Sequence, residues 1–282
     1  MTLVRRHLVG AVSLVLALAT GIALGAGPLS RETLLPSRAE PRPVAPAPDD
    51  SADELAEAVG PIVVEERLTG RVVTVLSTPG ADPDDVAGLE ASVEQAGGAV
   101  SARWRVGRSL VGPGETALVD TLGEQLLAQL GNGVADAEAP PYERMGQLLG
   151  AAVATREERP QAVDADGLTI RQSLDAASLL ATEADEPPGA PLVLLVVGDD
   201  IEDAVLEGLT TGLSERARRV VVAGDERSGD LAALDGAGVV TTVDGAGDAV
   251  GRLAAVLALA APDDSAPGSY GESGSDAVLP LG

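Results

Sequence analysis

Chemistry in this chain has to come from carboxylates. The sequence holds no cysteine and one histidine, His7, which stands in a short basic leader. Ser/His/Asp and Cys/His arrangements therefore cannot be assembled in the rest of the chain. Thiolate metal sites and disulfides are excluded by the same inventory. The 44 acidic residues leave two options. One is a carboxylate pair of the glycosidase kind, for which no spacing stands out. The other is a divalent-cation site. The best-placed acids are Asp199 and Asp200, which follow the uncharged run LVLLVV at 192–197. Met145, the one methionine besides Met1, supplies the soft ligand that copper prefers. These three are the metal candidates, weighed against the ordinary role of Asp after a strand, capping the next helix. No catalytic or cofactor-binding residue is predicted, and the chain reads as non-enzymatic.

The elements that would position these acids alternate between strand and helix. Arg71–Ser77, Ala99–Val106, Leu192–Val197, Arg219–Ala223 and Val239–Val243 are β-branched or aliphatic runs bounded by turn residues, and they predict strands. Helices are predicted from Asp82 to Gly97, then over Glu115–Leu130, Tyr142–Arg156, Leu168–Ala181, Ile201–Ala217, Ser228–Leu234 and Ala246–Ala260. This alternation predicts an α/β fold, a Rossmann-like, mostly parallel sheet with helices on both faces, over residues 54–261. Ligands of such a sheet gather at the carboxyl ends of its strands. Those ends read Thr78-Pro79-Gly80, Gly198-Asp199-Asp200, Gly224-Asp225-Glu226 and Asp244-Gly245-Ala246-Gly247-Asp248. None is a GxGxxG or P-loop motif, and their carboxylates would repel phosphate.

Phe and Lys are absent, so an aliphatic interior and an all-arginine basic set follow, with a net charge of −25. So acidic a surface repels nucleic-acid backbones. Trp104 and Tyr142 are expected to close the core. Arg103, Arg105 and Arg108 would form a solvated basic spot, at most a partner contact.

The amino-terminal part points to a membrane. Residues 1–7 are a basic leader, and Leu8–Leu29 is twenty-two residues without a formal charge. As a helix at about 1.5 Å per residue it spans roughly 30 Å, the thickness of a bilayer core. The positive-inside rule then puts the leader in the cytoplasm and the rest outside it, a single-pass cell-membrane protein. Ala23, Gly25 and Ala26 could also serve a signal peptidase, and Gly21 and Gly25 have the spacing of a helix-pairing GxxxG, hence a homodimer. Residues 30–53 are rich in proline and read as a linker. A short helix is expected at 54–68, interrupted at Gly60-Pro61. Residues 262–282 are a Gly/Ser-rich tail, partly ordered at best.

The leader with Arg6-His7, the segment GIALGAGPLS, the stretches RVVTVLSTPGADPDDVAGL and EQAGGAV, and the ending GSYGESGSDAVLPLG together resemble the actinobacterial copper transporter family, the envelope proteins like the mycobacterial copper transport protein B. The resemblance implies an envelope protein serving copper efflux or tolerance, with an outer-membrane location and protein partners in the envelope. Some relatives imply an alternative, a septal scaffold or regulator of peptidoglycan hydrolysis. Copper enters by resemblance alone, because the residues offer it few suitable ligands.

Overall fold

Five consecutive aliphatic residues, Leu192–Val196, are buried at every position. This requires apolar cover on both faces of the sheet, and the computed structural model has it. The described residues are 48–131, 133–199, 201–225, 231, 234, 238–271 and 274–280. The predicted leader, the apolar span with Gly21 and Gly25, residues 30–47 of the linker, Asp200 and most of the 228–234 helix lie outside them. No helix among the described residues is long and apolar enough to cross a membrane.

The elements in order are α1 (Pro48–Val64), β1 (Val72–Ser77), α2 (Pro83–Gln95), β2 (Ala99–Val106), α3 (Arg108–Val111), α4 (Thr116–Leu130), α5 (Pro141–Val153), α6 (Ala165–Ala176), β3 (Leu180–Thr182), β4 (Leu192–Val196), α7 (Asp203–Ser214), β5 (Arg219–Ala223), β6 (Thr241–Val243), α8 (Ala249–Ala260) and β7 (Ser269–Tyr270). The seven strands lie in the order β3-β2-β1-β4-β5-β6-β7. All neighbours are parallel except β2 and β3.

Side chains alternate across the sheet with the period of two that strands impose. Leu192, Leu194 and Val196 face a layer with Val64 of α1, Leu89 and Val93 of α2 and Ala255 and Leu259 of α8. Val193 and Leu195 face the other layer, with Val119 of α4, Met145 and Leu148 of α5, Ile170 of α6 and Leu209 of α7. In that second layer α5 and α7 cross through glycines four residues apart on each helix. A Cβ at Gly146 would run into the Leu209 carbonyl, and one at Gly208 would lie 2.8 Å from the Tyr142 Cβ. One at Gly212 would lie 2.6 Å from the Gln147 nitrogen. Gly146, Gly208 and Gly212 thus let the two helices pass in close contact.

Several boundaries differ from the sequence reading. Helix α1 begins at Pro48, inside the stretch read as linker, and runs through Gly60-Pro61 unbroken. Pro61 removes one helical N–H, but tertiary contacts hold the helix: Gly60 is buried, and the Asp53 Oδ1 accepts from the Val250 N–H at 3.1 Å. Predicted helix 168–181 ends at Ala176, because Ser178 takes φ +57°. The chain then returns as β3, antiparallel to β2. The tail contributes β7, parallel to β6.

Thr74, at the centre of β1, is fully buried, and its hydroxyl has no hydrogen-bond partner among the described residues. Valine has nearly the same shape without the hydroxyl. Thr74→Val should stabilise the domain by about 1 kcal/mol, read as a higher urea midpoint with an unchanged slope.

Candidate functional site

The strand order reverses between β1 and β4, the switch point at which a sheet of this type opens a crevice for ligands. Here the crevice is filled by the chain itself. The Thr78 N–H donates to the Val196 carbonyl at 3.0 Å, and the Gly198 N–H donates to the Thr78 Oγ1 at 2.9 Å. Gly80 has φ +90°, which favours glycine, and a Cβ there would lie 3.2 Å from the Asp199 nitrogen. A Cβ at Gly198 would overlap the backbone of Gly80 and Ala81. The turns after β1 and β4 thus meet main chain to main chain, and the N–H groups of Thr78 and Gly198 are spent inside the protein.

Next to this contact, at the carboxyl ends of β1, β5 and β6, the acids gather. Asp82 caps α2, accepting from the Asp84 N–H at 2.8 Å. Asp248 occupies the N-cap position of α8. Arg252 lies across Gly88 of α2 and donates to the Gly247 carbonyl. The Asp85 carboxylate stands against Gly247, where a Cβ would come within 2.9 Å of it. Partial burial raises the Asp85 pKa, as do the carboxylates of Asp82, Asp225 and Asp248, against an opposing pull from Arg252. Asp244 is buried, donates its N–H to the Tyr270 carbonyl at 3.0 Å and packs on Gly271. It pins the tail to the sheet, a role that its sequence neighbourhood does not announce.

Two of the metal candidates, Asp199 and Met145, lie apart. Asp199 is exposed beyond the end of β4, whereas Met145 is fully buried in the layer beneath α5 and α7. Asp200 lies outside the described residues. Among the described residues no three or more His, Cys, Asp or Glu are grouped so as to hold a metal ion.

Trp104 and Tyr142 close the core, and Arg103, Arg105 and Arg108 are exposed. Trp104 is buried under the Arg171 guanidinium, 5.0 Å from its ring centroid. Arg171 also donates to the carbonyls of Ala152 and Pro187, each at 2.7 Å, and its burial lowers its pKa. Arg103 forks onto Glu90, and Arg105 pairs with Glu183 at 3.1 Å. Tyr142 is buried with its hydroxyl 3.5 Å from the Thr116 Oγ1. A polar cleft of about 750 Å³ lies where α4, α5 and α7 end and α6 begins, with Arg156 and Arg216 in its wall. Arg156 donates to the Glu215 carbonyl at 3.1 Å, and Arg216 donates to the Val134 carbonyl. Both guanidiniums are held by main-chain carbonyls, Arg156 by the end of α7 and Arg216 by the loop after α4.

Two comparisons place the chain among known proteins. A family model described as "Copper transport outer membrane protein, MctB" matches residues 1–280. The protein called copper transporter MctB, from Mycobacterium bovis and from Mycobacterium tuberculosis, is 26% identical over 285 residues. The alignment takes in 90% of this chain and 91% of each relative.

The raised pKa of Asp85 has a consequence for stability. The folded state holds this proton more tightly than the unfolded chain, so the contribution is fully present below about the ordinary value of 3.8 and is lost as pH rises through the folded value. Asp85→Asn should therefore melt at a higher temperature than the parent at pH 7, with the gap closing below pH 3.8. Calorimetric melts at the two pH values check it; a lower melting temperature at pH 7 would contradict it.

Proposed function

The chain belongs to the copper transport outer membrane protein family typified by MctB, and from that membership we propose a membrane-anchored, non-enzymatic envelope protein that serves copper efflux or tolerance through other envelope proteins. The uncharged run Leu8–Leu29 behind a basic leader supports the anchor, with the domain outside the cytoplasm. The family's description as outer membrane proteins supports placing it toward the outer membrane. Gly21 and Gly25 are the proposed contact if the anchor pairs with itself.

The observation that carries the non-enzymatic part is the closed switch point, where the Gly80 and Gly198 backbones occupy the place of a ligand. Copper is cargo in this reading, and the residues do not fit a tight site for it. Copper(I) prefers thiolate and thioether ligands and copper(II) imidazole. The chain has no Cys, and its one thioether beyond Met1 is sealed in the core. Its sole imidazole, His7, belongs to the leader.

A deletion strain should grow at lower copper concentrations than its parent, and the full-length gene should restore tolerance. Met145→Leu, a near-isosteric core change, and Asp199→Ala should restore it equally well. Unaltered copper tolerance in the deletion strain would remove the proposal. Failure of either variant at normal protein levels would instead assign that residue to copper.

A further inference from the structure

The described residues expose five large apolar side chains: Leu55 at 42%, Ile62 at 67%, Leu118, Val239 and Val278. The last three lie far apart in sequence, on α4, before β6 and in the tail. Leu55 and Ile62 both belong to α1 and are seven residues apart, two helical turns, which puts them on one face. Ala58 is exposed between them, and half-buried Val59 borders them. The opposite face holds the helix to the domain, with Gly60 and Val64 buried and Asp53 bonded to the start of α8. Ile170 and Ile201 are 0% and 5% exposed. Ile62 is therefore the exception among the described isoleucines, in a chain that otherwise places them in its core.

Charge indicates what covers this stripe. Glu54, Glu57, Glu65 and Glu66 are exposed along the same stretch; α1 itself contains no basic residue, and the exposed Arg67 just beyond it donates to the Val63 carbonyl at 3.2 Å. A second copy would bring the same carboxylates against these. We propose that the Leu55–Ile62 face docks an amphipathic helix of a partner protein whose apolar seam is flanked by Lys or Arg. Apolar side chains at i and i+7 give such a helix its anchors, and opposite charge on the flanks speeds and selects the encounter. The inference rests on the reading that this protein works through partners, and it adds where the partner sits and what it looks like.

The test uses the full-length chain in nanodiscs of zwitterionic lipid and a fluorescent synthetic helix with a leucine seam flanked by lysines, with a glutamate-flanked twin as comparison. Anisotropy should report binding of the lysine peptide alone, weakening with added salt. The double variant Leu55→Ser/Ile62→Ser should bind it at least tenfold more weakly at an unchanged melting temperature, while Leu118→Ser should bind like the parent. Absent binding, or equal binding by the double variant, overturns the proposal. So does self-association in sedimentation that Ile62→Ser abolishes, which would make a second copy the occupant. No copper is present, so this result and the growth test fail or hold separately.

Discussion

The contact of the Gly80 and Gly198 backbones is the constraint on which this domain is arranged. It closes the two turns at the centre of the sheet, where β1 and β4 run side by side and the winding changes direction. A side chain at Gly198 would overlap the Gly80–Ala81 main chain. Thr78 locks the arrangement by donating through its N–H and accepting at its Oγ1 across the same gap. In related architectures this gap is where a ligand's charged groups meet free backbone donors. Here the two turns meet instead, so the gap between β1 and β4 is occupied by main chain.

A second theme is how a chain with no lysine and no phenylalanine holds itself together. Among the described residues Arg103, Arg105, Arg144 and Arg218 pair with carboxylates, but main-chain acceptors take more of the arginines. Arg67, Arg71, Arg144, Arg156, Arg171, Arg216, Arg219 and Arg252 all donate to main-chain carbonyls. Several of these carbonyls lie at or just beyond helix ends, where acceptors are left over and a positive group is favoured. The planar fork suits this task, since one guanidinium can reach two elements. Glycine does complementary work at the α5–α7 crossing, where small aliphatic and glycine residues replace the aromatic bulk that other cores use.

Much of the α/β layout was legible because runs such as LVLLVV and RVVVA have a single sensible reading in a parallel sheet, and because Asp82-Pro83 announces a helix start. What escaped was set by tertiary contacts. Gly60-Pro61 looks like a break, yet packing and the Asp53 cap carry α1 through it. Leu180–Thr182 is too short to signal a strand against the helical pattern before it, and only its pairing with Trp104–Val106 reveals it. The strand-end acids were legible as cap residues, whereas the closed gap was not. Gly80 and Gly198 read as ordinary turn residues until the strand order brings them together.

The central claim is that this family member contributes to copper handling without a tight copper site of its own. Calorimetric titration of the full-length chain with copper(I) and with copper(II) tests it most directly. The account predicts no stoichiometric site of submicromolar affinity for either ion, leaving only weak, salt-sensitive uptake by surface carboxylates. One-to-one submicromolar binding that disappears in Met145→Leu or Asp199→Ala would contradict it.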